Sequence, residues 1–412
     1  MSTVEARGVL DGITVLDLSQ GAAGPSAGMV LGEYGARVIK VDPPEGDWGR
    51  RLGPPFLGED AAAYMGMNRN KRSVVINLKT ASGPEIFKAL AARSDIVLES
   101  FRPGVMDRLG IGYSVLSQQH PDLIYCAISA FGTTGPWRDK PGVDGIIQAM
   151  SGLMSVTGEP GGQPVKVGVP AADMTAALIA VQGILLALLA RAATGKGQRV
   201  DVSLLDSLFF FQTVPWSMFM VSGQSPGRQG SAAPYSAPNE VYPTQDGFLM
   251  VAAYWPQRWD RLTQVLQCPE LARDPRFSGV RERVIHREEL FGLLADKFKM
   301  RSTEEWRQIL EKEDILCAPV MDYDQLAQLD HVMTPQKFPR LDHSELGLTP
   351  GVGMPAQLAD MPPKPQRPAP LVGEHTREIL QEWGYASHVI DDLIEQGVVW
   401  ERPRPLAKKR QD

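Results

Sequence analysis

The chain has 412 residues, with 42 lysines and arginines against 48 aspartates and glutamates, a formal net charge of −6. At roughly 100–200 residues per domain, this length predicts two or three domains with a sizeable core. Hydrophobic residues at 43% and charged residues at 22% exclude a disordered chain. The mild acidity argues against a general nucleic-acid surface, which needs a clear basic excess. It leaves room for a local cationic pocket for one phosphorylated ligand.

Cys126, Cys268 and Cys317 lie far apart with no CxxC, so neither a disulfide framework nor a Cys-rich zinc site is expected. His120, His286, His331, His343, His375 and His388 form no HxH or HxxxH pair, and no metal is expected. The opening residues MSTVEARGVLDG lack the apolar core of a secretory signal. The most apolar stretch, residues 176–190, has 13 apolar residues of 15. It falls short of the about 20 that a membrane span needs and reads as a buried helix. A soluble cytoplasmic protein, with no membrane or nucleic-acid partner, is the expectation.

In chain order, ITVLDL at 13–18 reads as a buried strand, QGAAGPSAG at 20–28 as a small-residue turn, MVLGEYG as a helix and RVIKVD at 37–42 as a second strand. This is a βαβ unit and implies a parallel sheet. The pattern repeats with SVVINL at 73–78, a helix over 83–93 and DIVLES at 95–100, and LIYCAISAF at 123–131 adds a strand. An open, doubly wound α/β sheet follows, its ligand expected at the carboxyl ends of the strands. After the apolar helix, QRVDVSLLDSLFFF gives another strand and helix, and 222–238 turns to the Gly, Pro, Ser, Gln and Ala of a linker. A second unit opens near 239 with EVYPTQDGFLMVAA, a hairpin around Gln245-Asp246-Gly247, and continues in amphipathic helices such as 304–312. MPPKPQRPAP at 361–370 reads as an extended surface strip. Two helical segments, 374–383 and 386–396, are broken at Gly384, and a KKR tail follows.

Gly21, Gly24 and Gly28 stand between a strand and a helix, with Asp42 ending the next strand. A dinucleotide site would place Asp42 on a ribose hydroxyl, but the spacing is GxxGxxxG rather than GxGxxG; small residues for tight strand-to-helix packing are the other reading. Lys71, Arg72, Lys79, Arg102, Arg108 and Lys140 all fall near strands of one sheet, where they either converge on a phosphorylated ligand or lie solvated. Asp173 stands before the apolar helix and is the sole carboxylate between 165 and 189. It reads as a helix N-cap, and, ionised near its usual pKa, also as a nucleophile toward an activated acyl group. No GxSxG elbow is present.

Together, LDGITVLDLSQGAAGP, GARVIKVDPPEGD, NKRSVVINLK, SFRPGVMDRLGIGY, FGTTGPWRDKPGVDGIIQAMSGLM, VGVPAADMTAAL and GKGQRVDVSLLDS resemble the motifs of the class III CoA-transferases, the formyl-CoA transferase and carnitine CoA-transferase family. DGFLMVAA, DPRF, DILCAPV and PAPLVGEHT extend the resemblance over nearly the whole chain. It implies a large Rossmann-like, doubly wound α/β domain built from both ends of the chain (1–221 and 371–412), a smaller α/β domain over 239–325, and linkers at 222–238 and 326–370. It also implies an interlocked homodimer.

By motif, the family nucleophile falls on Asp173, and Asp144 matches an acidic position near the reaction centre. Lys79, Arg108 and Lys140 match residues that hold the CoA phosphates. Gly21, Ala22 and Ala23 match backbone that approaches the thioester and pantetheine, and Ile76 and Phe101 match positions around the adenine. An adenine-facing arginine of some members falls on Pro43. The implied reaction takes coenzyme A from an acyl-CoA donor to a carboxylic acid acceptor through an aspartyl-CoA thioester. Two alternatives within the fold are an α-methylacyl-CoA racemase, whose histidine position is Val143 here, and a non-catalytic CoA-binding subunit. The glycine run of oxalate-specific members is replaced by RQGSAAPYSAP at 228–238, which turns the expectation to a small dicarboxylate such as succinate. Arg50, Arg51 or Arg69 would then pair with a distal carboxylate, or else lie in solvent.

Overall fold

The computed structural model describes residues 8–363 and 367–402, so residues 364–366 of the Pro-rich strip, the first seven residues and the KKR tail lie outside the described part. The chain clusters into two compact units: Met1–Ser151, Val167–Ser217 and Met333–Asp412 form one, and Gly152–Lys166 and Met218–Val332 the other.

The first unit is built on β1 (Thr14–Asp17), α1 (Ala23–Glu33), β2 (Arg37–Asp42), β3 (Lys71–Ile76), α2 (Gly83–Ala91), β4 (Ile96–Glu99), β5 (Ile124–Ser129), α3 (Asp144–Met150), α4 (Ala171–Thr194), β6 (Arg199–Ser203) and α5 (Leu204–Phe211). The sheet order is β3-β2-β1-β4-β5-β6, all parallel, with Val399–Trp400 added antiparallel along β3. The order reverses between β1 and β4, and such a reversal opens a crevice at the carboxyl ends of the strands. Val15, Leu16, Ile39, Val74, Val97 and Ile124 are fully buried, as expected of strands covered on both faces.

Two expectations change here. The helix after β1 begins at Ala23, inside the segment read as a turn. Its small residues serve close packing: a Cβ on Gly28 would stand 2.6 Å from Asp17 Oδ2. The apolar helix runs for 24 residues, to a left-handed Gly195, and is buried on one face only. Ala172, Ala176, Ala180 and Ile184 pack inward, while Leu178, Leu185, Leu186 and Leu189 are exposed. By length and composition alone α4 is long and apolar enough to cross a membrane.

The second unit has a three-stranded antiparallel sheet in the order Leu316–Pro319, Phe248–Ala252, Asn239–Pro243. Its central hairpin pairs Phe248 with Pro243. Helices Pro256–Val265, Arg287–Phe298 and Thr303–Lys312 cover Tyr242, Trp259, Phe298 and Trp306. The last of these helices starts in a capping box between Ser302 and Glu305. The stretch read as a second linker carries a hairpin of its own, Arg340–His343 with Gly347–Pro350.

Candidate active site

The loop after β1 is fixed by two buried lysines. Lys71 Nζ donates to Asp17 Oδ2 and Pro25 O, each at 2.7 Å, and to Asn68 Oδ1 at 2.9 Å. Lys40 Nζ donates to Ser19 O at 2.8 Å and pairs with Asp47 Oδ2 at 2.8 Å. Asp47 Oδ1 in turn accepts from the N–H groups of Gly21 at 2.9 Å and Gly49 at 2.8 Å, clamping two loops together. Trp48 is thereby seated against Gly21. Gly21 has φ 83°, and a Cβ there would lie 2.3 Å from Trp48 Cζ2, so both backbone and contact require glycine.

Beyond this loop, the carboxyl ends of β1, β4 and β5 open into a cavity of about 590 Å³ lined by Ala22, Ala23, Phe101, Arg102, Lys140 and Asp173, among others. A second cavity of about 480 Å³ is lined by Pro43, Arg51, Ile76 and Lys79, and shares Gln20, Trp48 and Phe101 with the first. Ala22, Ala23, Phe101, Lys140 and Asp173 thus meet around one space, and Ile76, Lys79 and Phe101 around its neighbour. Lys140 Nζ stands 5.1 Å over the Trp137 ring. Arg108 closes the short helix Val105–Arg108 and lines neither cavity.

Asp173 is not the N-cap that its sequence context implies. It is the third residue of α4, Pro170 holds the cap position, and the cap makes no side-chain hydrogen bond. The carboxylate that serves the helix start comes from Asp144 on α3, whose Oδ1 accepts from Ala172 N at 2.7 Å. Nor does Asp173 keep an ordinary carboxylate pKa. Burial, and then the charge of Asp144, push it from 3.8 up to about 7.

Several other sequence expectations are corrected by ion pairs, most of them buried. Lys71 is sealed against Asp17 and faces no pocket, with burial pulling its pKa down to about 8. Arg72 pairs with Glu378 and Glu382. Asp42 is no ribose acceptor: it is buried, accepting from Ser73 Oγ at 2.7 Å and facing Arg50 at 3.3 Å. Arg50, paired also with Asp60 at 2.8 Å, and Arg69, paired with Glu33 at 3.0 Å, are buried, neither solvated nor open to a substrate. Arg51 lines the second cavity. Trp48, Arg138 and Gln148 escaped the sequence reading. Gln148 follows Asp144 by four residues, the spacing that places two side chains on one helix face. Among the described residues, no group of three His, Cys, Asp or Glu side chains could hold a metal ion.

A parallel α/β sheet thus carries a two-chambered crevice with Asp173 in the larger chamber and cations in both. The profile of CoA-transferase family III matches residues 10–376. The chain is 33% identical to the human succinyl-CoA:glutarate CoA-transferase over 392 residues, which cover 95% of this chain and 90% of that protein. It is 36% identical to the succinate–glutarate CoA-transferase of Agrobacterium fabrum strain C58 over 380 residues, 90% of this chain and 95% of that one. Among solved structures, a CAIB/BAIF family protein from Brucella suis superposes with a TM-score of 0.81 at 35% identity, covering 92% of this chain and all of the other. The chain therefore belongs to CoA-transferase family III and is a CoA-transferase, an enzyme whose substrate is a CoA thioester.

Proposed function

We propose that this enzyme transfers CoA from a dicarboxylyl-CoA, with succinyl-CoA as the donor, to a free carboxylic acid through an aspartyl-CoA thioester on Asp173. The observation that carries this reading is that, among the described residues, Asp173 is the sole carboxylate lining the larger cavity, where no histidine or cysteine accompanies it. Its carboxylate oxygen attacks the thioester carbonyl carbon and expels the CoA thiolate, leaving a mixed anhydride. The thiolate then attacks the Asp173 carbonyl carbon and releases the donor acid. The acceptor carboxylate reverses the sequence: it displaces thiolate from Asp173, and the thiolate attacks the new acyl carbon and frees Asp173. A two-base racemase lacks its base, since the histidine position is Val143 and no histidine lines the cavity.

In this reading Lys79, Arg108 and Lys140 hold the CoA phosphates, Ile76 and Phe101 pack around the adenine, and the backbone of Gly21, Ala22 and Ala23 faces the pantetheine arm and thioester. The two cavities that share Trp48 support this for Ile76, Lys79 and Phe101 in the smaller and for Ala22, Ala23 and Lys140 beside Asp173 in the larger, while Arg108 lines neither. Asp144 is the fixed anion beside the nucleophile. Water must be kept from both anhydride and thioester. The named activities of the relatives support a succinyl donor.

The same reading makes the active enzyme a homodimer of interlocked subunits in the cytoplasm. The exposed face formed by Leu178, Leu185, Leu186 and Leu189 of α4 and Phe210 and Phe211 of α5 supports a protein partner. Lipid is a poor occupant, because the opposite face of α4 packs within the unit through Ala172, Ala176 and Ala180. Three free cysteines support a reducing compartment.

The test is to incubate the protein with a set of acyl-CoAs, trap with hydroxylamine and map the mass of the Asp173 peptide. An adduct that vanishes in Asp173→Ala establishes the covalent route, and the consumed thioester names the donor. CoA binding without an adduct from any donor sinks the nucleophile assignment.

A further inference from the structure

Gln148 is fully buried one helical turn after Asp144 on α3. Its Nε2 donates to Asp144 Oδ2 at 2.7 Å and to Val169 O at 3.3 Å, and its Oε1 accepts from Val167 N at 2.9 Å. The amide therefore ties α3 to the turn that leads into α4. The remaining oxygen of Asp144 accepts from Ala172 N, so each carboxylate oxygen receives an N–H donor. The charged group that acts on Asp173 is Asp144 from α3; Arg102, Arg138 and Lys140 line the same cavity, and on α1 Ser26 Oγ donates to Met174 Sδ, next to Asp173, at 3.7 Å.

We propose that Gln148 is a positioning residue for the transfer reaction: its amide pins the Asp144 carboxylate against the Ala172 N–H, which sets the first turn of α4 under Asp173 and the fixed negative charge that Asp173 faces. The inference rests on Asp173 being the nucleophile. Glutamine suits this position for a definite chemical reason. Methionine would fill the same volume with no donor or acceptor. Glutamate would still accept from Val167 N, but would set a second carboxylate against Asp144 that fits only when protonated.

The experiment compares Gln148→Glu and Gln148→Met with the wild type in the full-length enzyme. At about pH 8, Gln148→Glu is expected to lose about 10²-fold in kcat, the scale of a displaced reacting group, with CoA affinity by calorimetry unchanged. Lowering the pH to about 6 restores its rate relative to wild type, because the introduced carboxyl takes up a proton and donates to Asp144 as the amide does. Gln148→Met loses rate without that recovery. An independent arm uses the pair Asp144→Asn and Asp144→Asn with Gln148→Glu. In the double variant the asparagine amide donates to the introduced carboxylate and its oxygen still accepts from Ala172 N. The double variant should therefore turn over faster than Asp144→Asn alone, a coupling that survives even if Gln148→Met fails to fold. Wild-type kcat in Gln148→Glu at about pH 8 would overturn the proposal, as would parallel loss of kcat and CoA affinity at every pH, or no gain in the double variant. Hydroxylamine trapping on the wild type separates the two readings. No Asp173 adduct there brings down the nucleophile reading and this inference with it. An adduct with an indifferent Gln148→Glu brings down this inference alone.

Discussion

The backbone N–H of Ala172 donates to Asp144 at 2.7 Å, so a carboxylate from another helix occupies the position that Asp173, one residue further along α4, was placed to fill. Asp173 is left without a cap bond beside a fixed anion. Its raised proton affinity follows first from burial and second from that anion.

The first consequence concerns rate. Burial, and then Asp144, hold the Asp173 pKa at about 7 in the free enzyme. As an anionic nucleophile, it gives a kcat/KM for the donor that falls about tenfold per unit below pH 7. Asp144→Asn removes the second cause but not the first, so the acidic limb moves down by about one pH unit and not back to 3.8. A pH–rate profile of the two proteins reads this directly.

Stability should move the opposite way. Folded Asp173 keeps its proton up to about pH 7, whereas the unfolded chain releases it near 3.8. Its contribution to stability is thus fully present below about pH 4 and lost as the pH rises through 7. Asp173→Asn should raise the unfolding free energy by on the order of 3 kcal/mol at pH 8 and leave it unchanged at pH 4. Denaturant titrations at the two pH values check both the size and the sign.

Gly21→Ala should separate binding from chemistry. A side chain at φ 83°, with its Cβ 2.3 Å from Trp48 Cζ2, costs about 1–2 kcal/mol in backbone strain and displaces the indole that both cavities share. KM for acyl-CoA should rise about tenfold, with a smaller loss in kcat, in steady-state kinetics at saturating acceptor.

Lys79 lines the smaller cavity with Ile76 and Phe101, away from Asp173 in the larger. Lys79→Ala should weaken CoA binding by about tenfold or more, the worth of one charge-assisted hydrogen bond. Pantetheine, which lacks the nucleotide, should bind both proteins equally in calorimetry.

Leu186 and Leu189, 58% and 69% exposed, lie on the outer stripe of α4. In the proposed homodimer this stripe is covered by the partner, and a charge placed within a covered apolar face costs several kcal/mol, so Leu186→Glu should yield a chain that sediments as a monomer with the circular dichroism of the fold unchanged, against a dimer for the wild type.

The strands were legible because each is a short, nearly continuous apolar run bounded by small residues, and a sheet covered on both faces demands that pattern. What the sequence hid was pairing. Lys71 and Asp17 are 54 residues apart, and Arg69 and Glu33 are 36 apart, so two cations that read as surface or ligand-binding groups are in fact paired with carboxylates inside the protein. Asp173 could be found from its isolation in an apolar stretch. Its altered proton affinity could not, because the burial that chiefly raises it is tertiary and the second cause, Asp144, arrives from another helix. Trp48 drew no notice in the sequence, since its place depends on Asp47 joining Gly21 and Gly49.

The strand Val399–Trp400 lies along β3, and the segment Met333–Asp412 belongs to the unit whose first strand begins at Thr14. On a translating ribosome, β3 therefore emerges more than three hundred residues ahead of the strand that covers its edge. Residues 218–332 meet no such delay, since they belong to a unit whose partner segment, Gly152–Lys166, is already made. Synthesis thus runs against the order of the sheet. The smaller unit can close while the larger still shows an open β edge, and that interval is where a nascent chain of this enzyme is most exposed to chaperones, and to neighbouring copies of itself on the same message.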